Sequence, residues 1–466
     1  MLDLAVVGGT VVTGSATVLA DIGVRDGRVV MLAAQGTLTD DAAEVLDASA
    51  RIVVPGGIDS HVHFNIELTD VLKAQTAIAG SRAAAFGGTT TFIDFGLQAG
   101  EQSPVAAIES KVGELDAQHP HVDYALHLML TGEVSLSAMD ELADVVSGGV
   151  PSFKMFTTFS AGSPSGSMFS DDGRIWAVMQ KAEAAGGLVM VHCEDNCIID
   201  LHVRRLYAEG RQRGSNIHLA RPILAEEAAI KRMLLLSERS GCPLYIVHVS
   251  SDAGVAAIAE AKSSRLPVFG EVLHNYLAFT SEQYATKEYQ LYHNYPPLKY
   301  ADDQRALWHA IASGDLATVA SDDLTIPKAA KLSGTVVDNV PGGHNGIETR
   351  MDVLFSEGVA TGRLTLQQFV RLTSEAPARL FGLFPRKGTI AIGSDADFAV
   401  IDPTARQTIR LESLHSDCDY SIWDGWELTG KVCATVLRGA VLTREGEWVG
   451  PEHTGRFVAG GSLSEA

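Results

Sequence analysis

Short apolar stretches recur along the middle of the chain and alternate with amphipathic stretches. A strand that is buried on both faces has a continuous apolar run, whereas a strand with one exposed face alternates. The runs predict eight strands, at 52–61, 89–96, 122–130, 150–156, 188–194, 243–251, 267–272 and 317–323. Because strands that alternate with helices form parallel βαβ units, this α/β pattern predicts a (β/α)8 TIM-like barrel rather than an open sheet.

The two ends of the chain have a different pattern. Polar and apolar residues alternate there, with glycine and aspartate at the turns, as in antiparallel sheets. Two separate β-units would each have difficulty burying a core. We therefore expect one small β-sandwich domain built from 1–54 and 386–456, beside a barrel of 55–385. The last segment, 457–466, is expected to be a flexible tail, or alternatively to bridge subunits.

Two long loops follow predicted strands. Residues 157–173 follow the fourth strand, and residues 324–346 follow the eighth. Loops of this length inside a compact domain are often lids over a functional site. The alternative is an ordinary surface connection.

Composition narrows the classes of protein without identifying one. The chain has 466 residues, 46% of them hydrophobic, and a formal net charge of -21. A single core stops growing at about 250–300 residues, so a large and a smaller domain are expected. The negative charge argues against nucleic acid and anionic membrane as partners. No apolar run reaches the ~18 residues of a membrane span, and no signal peptide is visible.

The five cysteines are scattered and odd in number. In a chain of this size they indicate reduced thiols and a cytoplasmic location. Cys193 and Cys197 are close enough in sequence for a metal or redox pair. The simpler interpretation is that they pack as small apolar residues.

Side chains of the kind that bind metals lie where the predicted strands end. Carboxyl ends of barrel strands converge on one face, so residues far apart in sequence can share a site there. Imidazole and carboxylate groups are ligands for divalent metals. Taken singly, an HxH pair is more typical of polar surface, and a lone strand histidine of a core. Together they predict a metal site made of His61, His63, Lys154, His192, His248 and Asp322.

Two of these residues suggest particular chemistry. A buried lysine is costly unless it is neutralised or paired, so Lys154 either extends to solvent, pairs with a carboxylate, or reacts as a neutral amine with carbon dioxide. The resulting carbamate could bridge two metals. Asp322 could both bind a metal and accept a proton, which would make it the catalytic residue.

The motifs PGGIDSHVH, SFKMF, VHCED, YIVHVSS and ASDD occur in this order and resemble the signature positions of the amidohydrolase superfamily. The most similar branch is the cyclic amidases: hydantoinase, dihydropyrimidinase and allantoinase. Further similar segments, among them GEVLHNYL, YPPLK and PGGHNGIETR, extend the resemblance over nearly the whole chain.

This resemblance implies an enzyme with two divalent metal ions, usually zinc, although the ligands also suit manganese, cobalt and nickel. His61, His63 and Asp322 would hold one ion and His192 and His248 the other, with a carbamate on Lys154 and a hydroxide bridging them. The expected reaction is ring opening of a 5-substituted hydantoin or a dihydropyrimidine. The expected assembly is a homotetramer or homodimer.

The chain departs from that branch at positions that contact substrate. Phe159 stands where hydantoinases and dihydropyrimidinases have a tyrosine whose hydroxyl helps to hold the substrate, and losing one such donor can cost about 10²–10³ in rate. Tyr295 replaces their serine, Gly342 their asparagine, and Asp323 a histidine that is often found there. Dihydroorotases have an arginine where this chain has Asn65, which argues against that activity.

The substrate therefore stays open at this point. Allantoinases also lack the tyrosine, so an allantoinase or a cyclic imide hydrolase using the same site is the alternative function. A catalytically silent scaffold is the third hypothesis, and the full ligand set argues against it. A bulky or aromatic ring substituent is favoured if an apolar pocket forms from residues that singly are more typical of a core: Phe64, Phe95, Leu97, Phe156, Phe159 and Met168.

Overall fold

The computed structural model describes residues 1–38, 42–67, 72–160, 168–461 and 463. Its strands are β1 (Leu2–Val7), β2 (Thr10–Val12), β3 (Thr17–Arg25), β4 (Arg28–Ala34), β5 (Ala42–Asp47), β6 (Ile52–Pro55), β7 (Gly57–Asp59), β8 (Thr89–Gln98), β9 (Asp123–Leu130), β10 (Ser152–Phe156), β11 (Leu188–His192), β12 (Leu244–Ile246), β13 (Val268–Leu273), β14 (Thr318–Ala320), β15 (Phe398–Thr408), β16 (Glu427–Leu437), β17 (Ala440–Arg444) and β18 (Glu447–Trp448).

The α-helices lie mainly between the strands of the middle segment. They are α1 (Ala77–Phe86), α2 (Pro104–Gln118), α3 (Leu136–Met139), α4 (Leu142–Ser147), α5 (Asp172–Ala184), α6 (Asn196–Ala208), α7 (Ile217–Ala220), α8 (Ile223–Ser240), α9 (Asp252–Ser263), α10 (His274–Ala278), α11 (Ala301–Ser313), α12 (Lys328–Lys331), α13 (Arg350–Leu354), α14 (Leu366–Val370) and α15 (Ala376–Leu380). Two π-helical turns, Phe355–Ala360 and Arg371–Glu375, adjoin α13 and α14.

Strands β7 to β14 form one parallel sheet in chain order, which confirms the predicted barrel. The first and last strands approach each other beyond their ends, where Val62 bridges Asp323 and the His63 N–H donates to the Asp323 carbonyl at 2.8 Å. Residues of β10 and β11 are buried throughout, as expected for strands covered on both faces. The carboxyl ends of the strands therefore meet at one mouth.

All eight predicted barrel strands are present, but the first one is divided between two sheets. Ile52–Pro55 pairs with the sandwich strand β15, and only Gly57–Asp59 belongs to the barrel. Gly56 lies at the crossing, where an added Cβ would be 2.1 Å from Thr90 Oγ1. Both halves are apolar and buried, so the hydrophobic pattern could not separate them.

A ten-stranded mixed sheet is built from both ends of the chain, as predicted. Its order is β18-β17-β16-β15-β6-β2-β3-β1-β5, with β4 beside β3. Leu4 and Ile22 pack in one core with Phe398 and Val436, although their strands are far apart in this order. The sheet thus folds onto itself as a sandwich.

A buried lysine joins the sandwich to the barrel. Lys387 Nζ lies 2.6 Å from Asp123 on β9, 2.5 Å from Asp397 and 3.2 Å from Asp395. The three carboxylates are close enough to suggest a metal site. Lys387 pairs with all three carboxylates, and Arg438 and Arg386 also pair with Asp123 and Asp395, so the cluster is an ion-pair network that connects the two domains.

Residues 457–461 are held against the barrel. The N–H of Val458 donates to Tyr124 at 2.7 Å, Gly460 to Gly149 at 2.9 Å and Gly461 to Gly382 at 3.0 Å, and Val458 is fully buried. The predicted flexible tail therefore does not begin at 457, because the buried Val458 holds the start of this segment against the barrel. Residues 462 and 464–466 lie outside the described residues.

All five cysteines are free. Within the described ranges, no helix has both the length and the apolar character needed to cross a bilayer.

Candidate metal centre and substrate cavity

A cavity of about 430 Å³ opens at the carboxyl ends of the barrel strands. His61 and His63 follow β7, Lys154 lies in β10, His192 ends β11, His248 follows β12 and Asp322 follows β14. Its lining includes every predicted metal-binding residue and every predicted substrate-binding residue: His61, His63, Asn65, Lys154, Phe159, His192, His248, Tyr295, Asp322 and Gly342.

His61, His63 and Asp322 form the tightest group in this cavity. Asp322 Oδ1 lies 3.3 Å from His61 Nε2 and 3.1 Å from His63 Nε2. Potential ligand atoms of the three residues all lie within 4.8 Å of one another. Burial alone would raise the pKa of Asp322, but His61 and His63 hold it well below its usual value. An ionised carboxylate between two imidazoles is a donor set that fits a divalent metal.

His192 and His248 lie beside this group. Their ring centroids are 4.5 Å apart, and the His248 centroid is 5.6 Å from that of His61. Burial lowers the pKa of His192 to about 4 and that of His248 well below its usual value. Both rings are therefore neutral at pH 7, which is the form that binds a metal.

Lys154 completes the arrangement. Its side chain is 1% exposed, and its Nζ lies 5.5 Å from the ring centroid of Phe95 and 5.1 Å from that of Phe156. Burial lowers the pKa of Lys154 to about 8. A substantial fraction of this amine is neutral near pH 8, and the neutral form is the one that can add to carbon dioxide.

Several site residues adopt a backbone conformation that side chains disfavour. The φ angles are 60° at Asn65, 66° at Phe159, 40° at His248 and 53° at Asp322. Non-glycine residues with positive φ are uncommon and cluster where the surrounding structure holds a functional side chain in place. Four of the ten predicted site residues share this property.

Glu271, which lies in β13, has a role that the sequence analysis did not predict. Its Oε1 accepts hydrogen bonds from His61 Nδ1 at 2.7 Å and from the His248 N–H at 3.1 Å. Its Oε2 accepts from Tyr245 at 2.9 Å and from Ser60 at 3.2 Å. By binding Nδ1, the carboxylate directs Nε2 of His61 into the cavity, as outer partners of metal-binding histidines do. A carboxylate at a strand end within GEVLHNYL was the available signal.

Glu194 and Asn294 are two further partners that sequence reasoning missed. Glu194 Oε2 accepts from His192 Nε2 at 2.9 Å and pairs with Arg221. Burial would raise the pKa of Glu194, yet Arg221 lowers it to about 2, so the carboxylate stays charged. Asn294 Nδ2 donates to Asp322 Oδ2 at 3.0 Å and fixes the second oxygen of that carboxylate.

The predicted substrate positions pack largely on one another. The Phe159 and Tyr295 rings meet edge to face at 5.3 Å, and the Tyr295 hydroxyl donates to the Val340 carbonyl at 2.8 Å. A Cβ on Gly342 would lie 2.6 Å from the Tyr295 ring. Asn65 instead accepts from the Ala77 N–H at 3.0 Å, beside the start of α1.

The predicted apolar pocket forms with one exception. Phe95, Leu97, Phe156, Phe159 and Met168 line the cavity. Phe64 does not; it is fully buried, and a Cβ on Gly80 of α1 would be 2.3 Å from its ring. Phe64 is therefore a core residue, which was the simpler interpretation.

Comparison with known proteins agrees with this architecture. The sequence model of the Amidohydrolase family matches residues 52–442. D-hydantoinase of Streptomyces coelicolor is 35% identical over 458 residues, covering 97% of this chain and 96% of that protein, and D-hydantoinase of Geobacillus stearothermophilus is 36% identical, covering 97% and 95%. The crystal structure of dihydropyrimidinase from Brevibacillus agri NCHU1002 has 34% identity and a TM-score of 0.94 over 100% of both chains. The chain therefore belongs to the amidohydrolase family, in its cyclic amidase branch.

Proposed function

We propose that this chain hydrolyses a C–N bond of a cyclic amide, opening the ring of a 5-substituted hydantoin or a dihydropyrimidine. The observation that carries the proposal is the convergence of His61, His63, His192, His248 and Asp322 on one cavity, with Lys154 among them. The relatives named D-hydantoinase and dihydropyrimidinase support the choice of substrate.

The donor set suits two divalent ions: His61, His63 and Asp322 on one, and His192 and His248 on the other. Two such ions would supply a hydroxide at neutral pH and polarise the amide carbonyl. Zinc is the proposed metal, and a carbamate on Lys154 is proposed as the bridging ligand. A homotetramer or homodimer and a cytoplasmic location are also part of this proposal.

Asp322 is the proposed catalytic residue. Its carboxylate is ionised and opens into the cavity, so it can accept a proton from the attacking water and deliver it to the ring nitrogen that leaves. Asn294 donates a hydrogen bond to Oδ2 of Asp322, and Oδ1 of the same carboxylate lies between His61 and His63. Glu271 and Glu194 keep two imidazoles oriented throughout.

A second candidate is an allantoinase or a cyclic imide hydrolase. It is favoured by Phe159, which lines the cavity and has no hydroxyl to donate to a ring carbonyl. Such substrates use the same hydrolytic groups and differ in the polar atoms around the ring.

Purified protein should be assayed against hydantoin, 5-phenylhydantoin, dihydrouracil, allantoin and phthalimide, with its bound metals measured in parallel. Ring opening of hydantoins or dihydrouracil that is lost on chelation and restored by zinc is the expected result. Hydrolysis confined to allantoin or phthalimide would favour the second candidate. A metal-free protein that hydrolyses none of these rings would indicate a scaffold.

A further inference from the structure

Lys331, the last residue of α12, is fully buried close to the substrate cavity. Its Nζ donates to two backbone carbonyls, those of His293 at 2.5 Å and Pro341 at 2.8 Å. Burial holds the pKa of Lys331 well below its usual value, and no charged group of the described residues offsets that effect. Even a neutral amine retains two N–H donors, which match the two carbonyls.

The two carbonyls belong to segments that form one side of the cavity. One segment continues from His293 into Tyr295, and the other from Pro341 into Gly342. Tyr295, Pro341 and Gly342 line the cavity, and we call these three residues the wall. The Lys331 amine therefore bridges two loop segments that are distant from each other in sequence.

Three contacts hold the wall together. Lys331 connects the backbones of the two segments. The Tyr295 hydroxyl donates to the Val340 carbonyl at 2.8 Å. The Tyr295 ring lies so close to Gly342 that a Cβ there would come within 2.6 Å of it.

A lysine is a costly means of filling this position if packing is its only role. An apolar side chain of the same length would avoid the cost of removing an amine from water. It would, however, leave two buried carbonyls without this donor, and an unsatisfied buried acceptor costs about 1–3 kcal/mol. The amine therefore satisfies both carbonyls and links the backbones of the two segments directly.

We propose that Lys331 is a positioning residue for substrate: it ties the two segments so that Tyr295 and Gly342 present a single fixed wall to the ring. This inference rests on the proposed ring hydrolysis. Lys331 is not among the residues that line the cavity, so it acts through the wall. Its loss should weaken substrate binding, while Asn294 keeps its own hydrogen bond to Asp322 and the metal-binding side chains stay in place.

The test compares Lys331→Met with Lys328→Met in the zinc-loaded full-length protein. Lys328 is in the same helix, but its side chain is 34% exposed and pairs with Glu288 at the surface, so it is the matched control. Steady-state kinetics would be measured with hydantoin and with 5-phenylhydantoin as substrates, and the zinc content of each variant would be determined in parallel. We expect KM to rise about tenfold in Lys331→Met with kcat within about threefold, since lost ground-state contacts appear in KM. Zinc content should stay unchanged.

Tyr295→Phe supplies an independent arm, because it removes only the hydroxyl bond to Val340 and keeps the ring. KM should rise in the same direction, by less than in Lys331→Met. If Lys331→Met does not fold, this variant alone decides: an unchanged KM overturns the inference. An unchanged KM in a folded Lys331→Met, or the same rise in Lys328→Met, also overturns it. Failure of the unaltered protein to open any ring would instead count against the proposed function.

Discussion

Glu271 offers the sharpest test of the proposed metal centre, because it touches two predicted ligands without lining the cavity. In Glu271→Gln the amide oxygen can keep the Oε1 position and accept from His61 and His248. The amide NH₂ then faces the hydroxyls of Tyr245 and Ser60, which can rotate to accept. The substitution thus removes the charge and preserves the contacts.

The expected loss of metal affinity follows from these contacts. Removing an outer partner of a metal-binding histidine costs about 10–100-fold in affinity, which is about 1.4–2.7 kcal/mol. The loss of zinc affinity in Glu271→Gln should be near the lower limit of this range, because the hydrogen bonds to His61 and His248 are preserved. The loss in Glu271→Leu should be near the upper limit, since the N–H groups of His61 and His248 lose their acceptor.

Zinc affinity should be measured by competition with a chromogenic chelator. Glu348→Gln is the control, because Glu348 binds His415 Nδ1 at 2.7 Å, the same distance as in the Glu271–His61 pair, away from the cavity. A folded Glu271→Gln protein that binds zinc as tightly as the unaltered chain would refute the reasoning. Equal losses in both variants would show a general effect of removing a buried charge.

The remaining predictions address single groups. Lys154→Ala should abolish hydrolysis and recover part of it with short carboxylic acids; full activity without acid would contradict a bridging role. In metal-free protein kept at a constant concentration of dissolved carbon dioxide, reactivation by zinc should accelerate as the pH rises towards about 8, the lowered pKa of Lys154, and level off above it, because the neutral amine is the nucleophile; a pH-independent rate under these conditions would count against this. Asn294→Ala should lower kcat about tenfold with zinc retained, because Asp322 loses a hydrogen-bond donor; an unchanged kcat would show that this hydrogen bond does not contribute to catalysis. Lys387→Met should reduce the free energy of unfolding in urea by about 3–5 kcal/mol, since it leaves the buried Asp397 carboxylate without its ion-pair partner; an unchanged midpoint would exclude that role.

The barrel and its candidate ligands could be predicted because both depend on local patterns. A strand covered on both faces must be apolar along its length, and a polar residue at its carboxyl end must lie at the barrel mouth. His192 and Asp322 were found in this way. The division at Gly56 was not, since the apolar run continues from one sheet into the next.

Residues that orient a predicted ligand, or the wall of the cavity, could not be predicted from hydrophobic patterns and strand ends. Glu271 and Asn294 are ordinary polar residues in the sequence, and only the fold brings them within 3.0 Å of a predicted ligand. Glu194 is two residues from His192, but the sequence does not show that its side chain turns back to that imidazole. Lys331 is separated from His293 by 38 residues along the chain, so no local pattern predicts their hydrogen bond. Its burial also depends on loops that have no hydrophobic period.

The sequence by itself determined the class of fold and the set of candidate ligands, because both follow from residue type and short-range spacing. The absence of a hydroxyl at Phe159 was recognised through the resemblance to hydantoinases and dihydropyrimidinases. Tertiary structure alone decided which carboxylates orient the histidines, how Tyr295 and Gly342 fit together, and that Lys387 occupies the acidic cluster beside the sandwich. Those outcomes depend on distances of a few ångströms between segments far apart in the chain, and such distances are fixed only when the whole core packs.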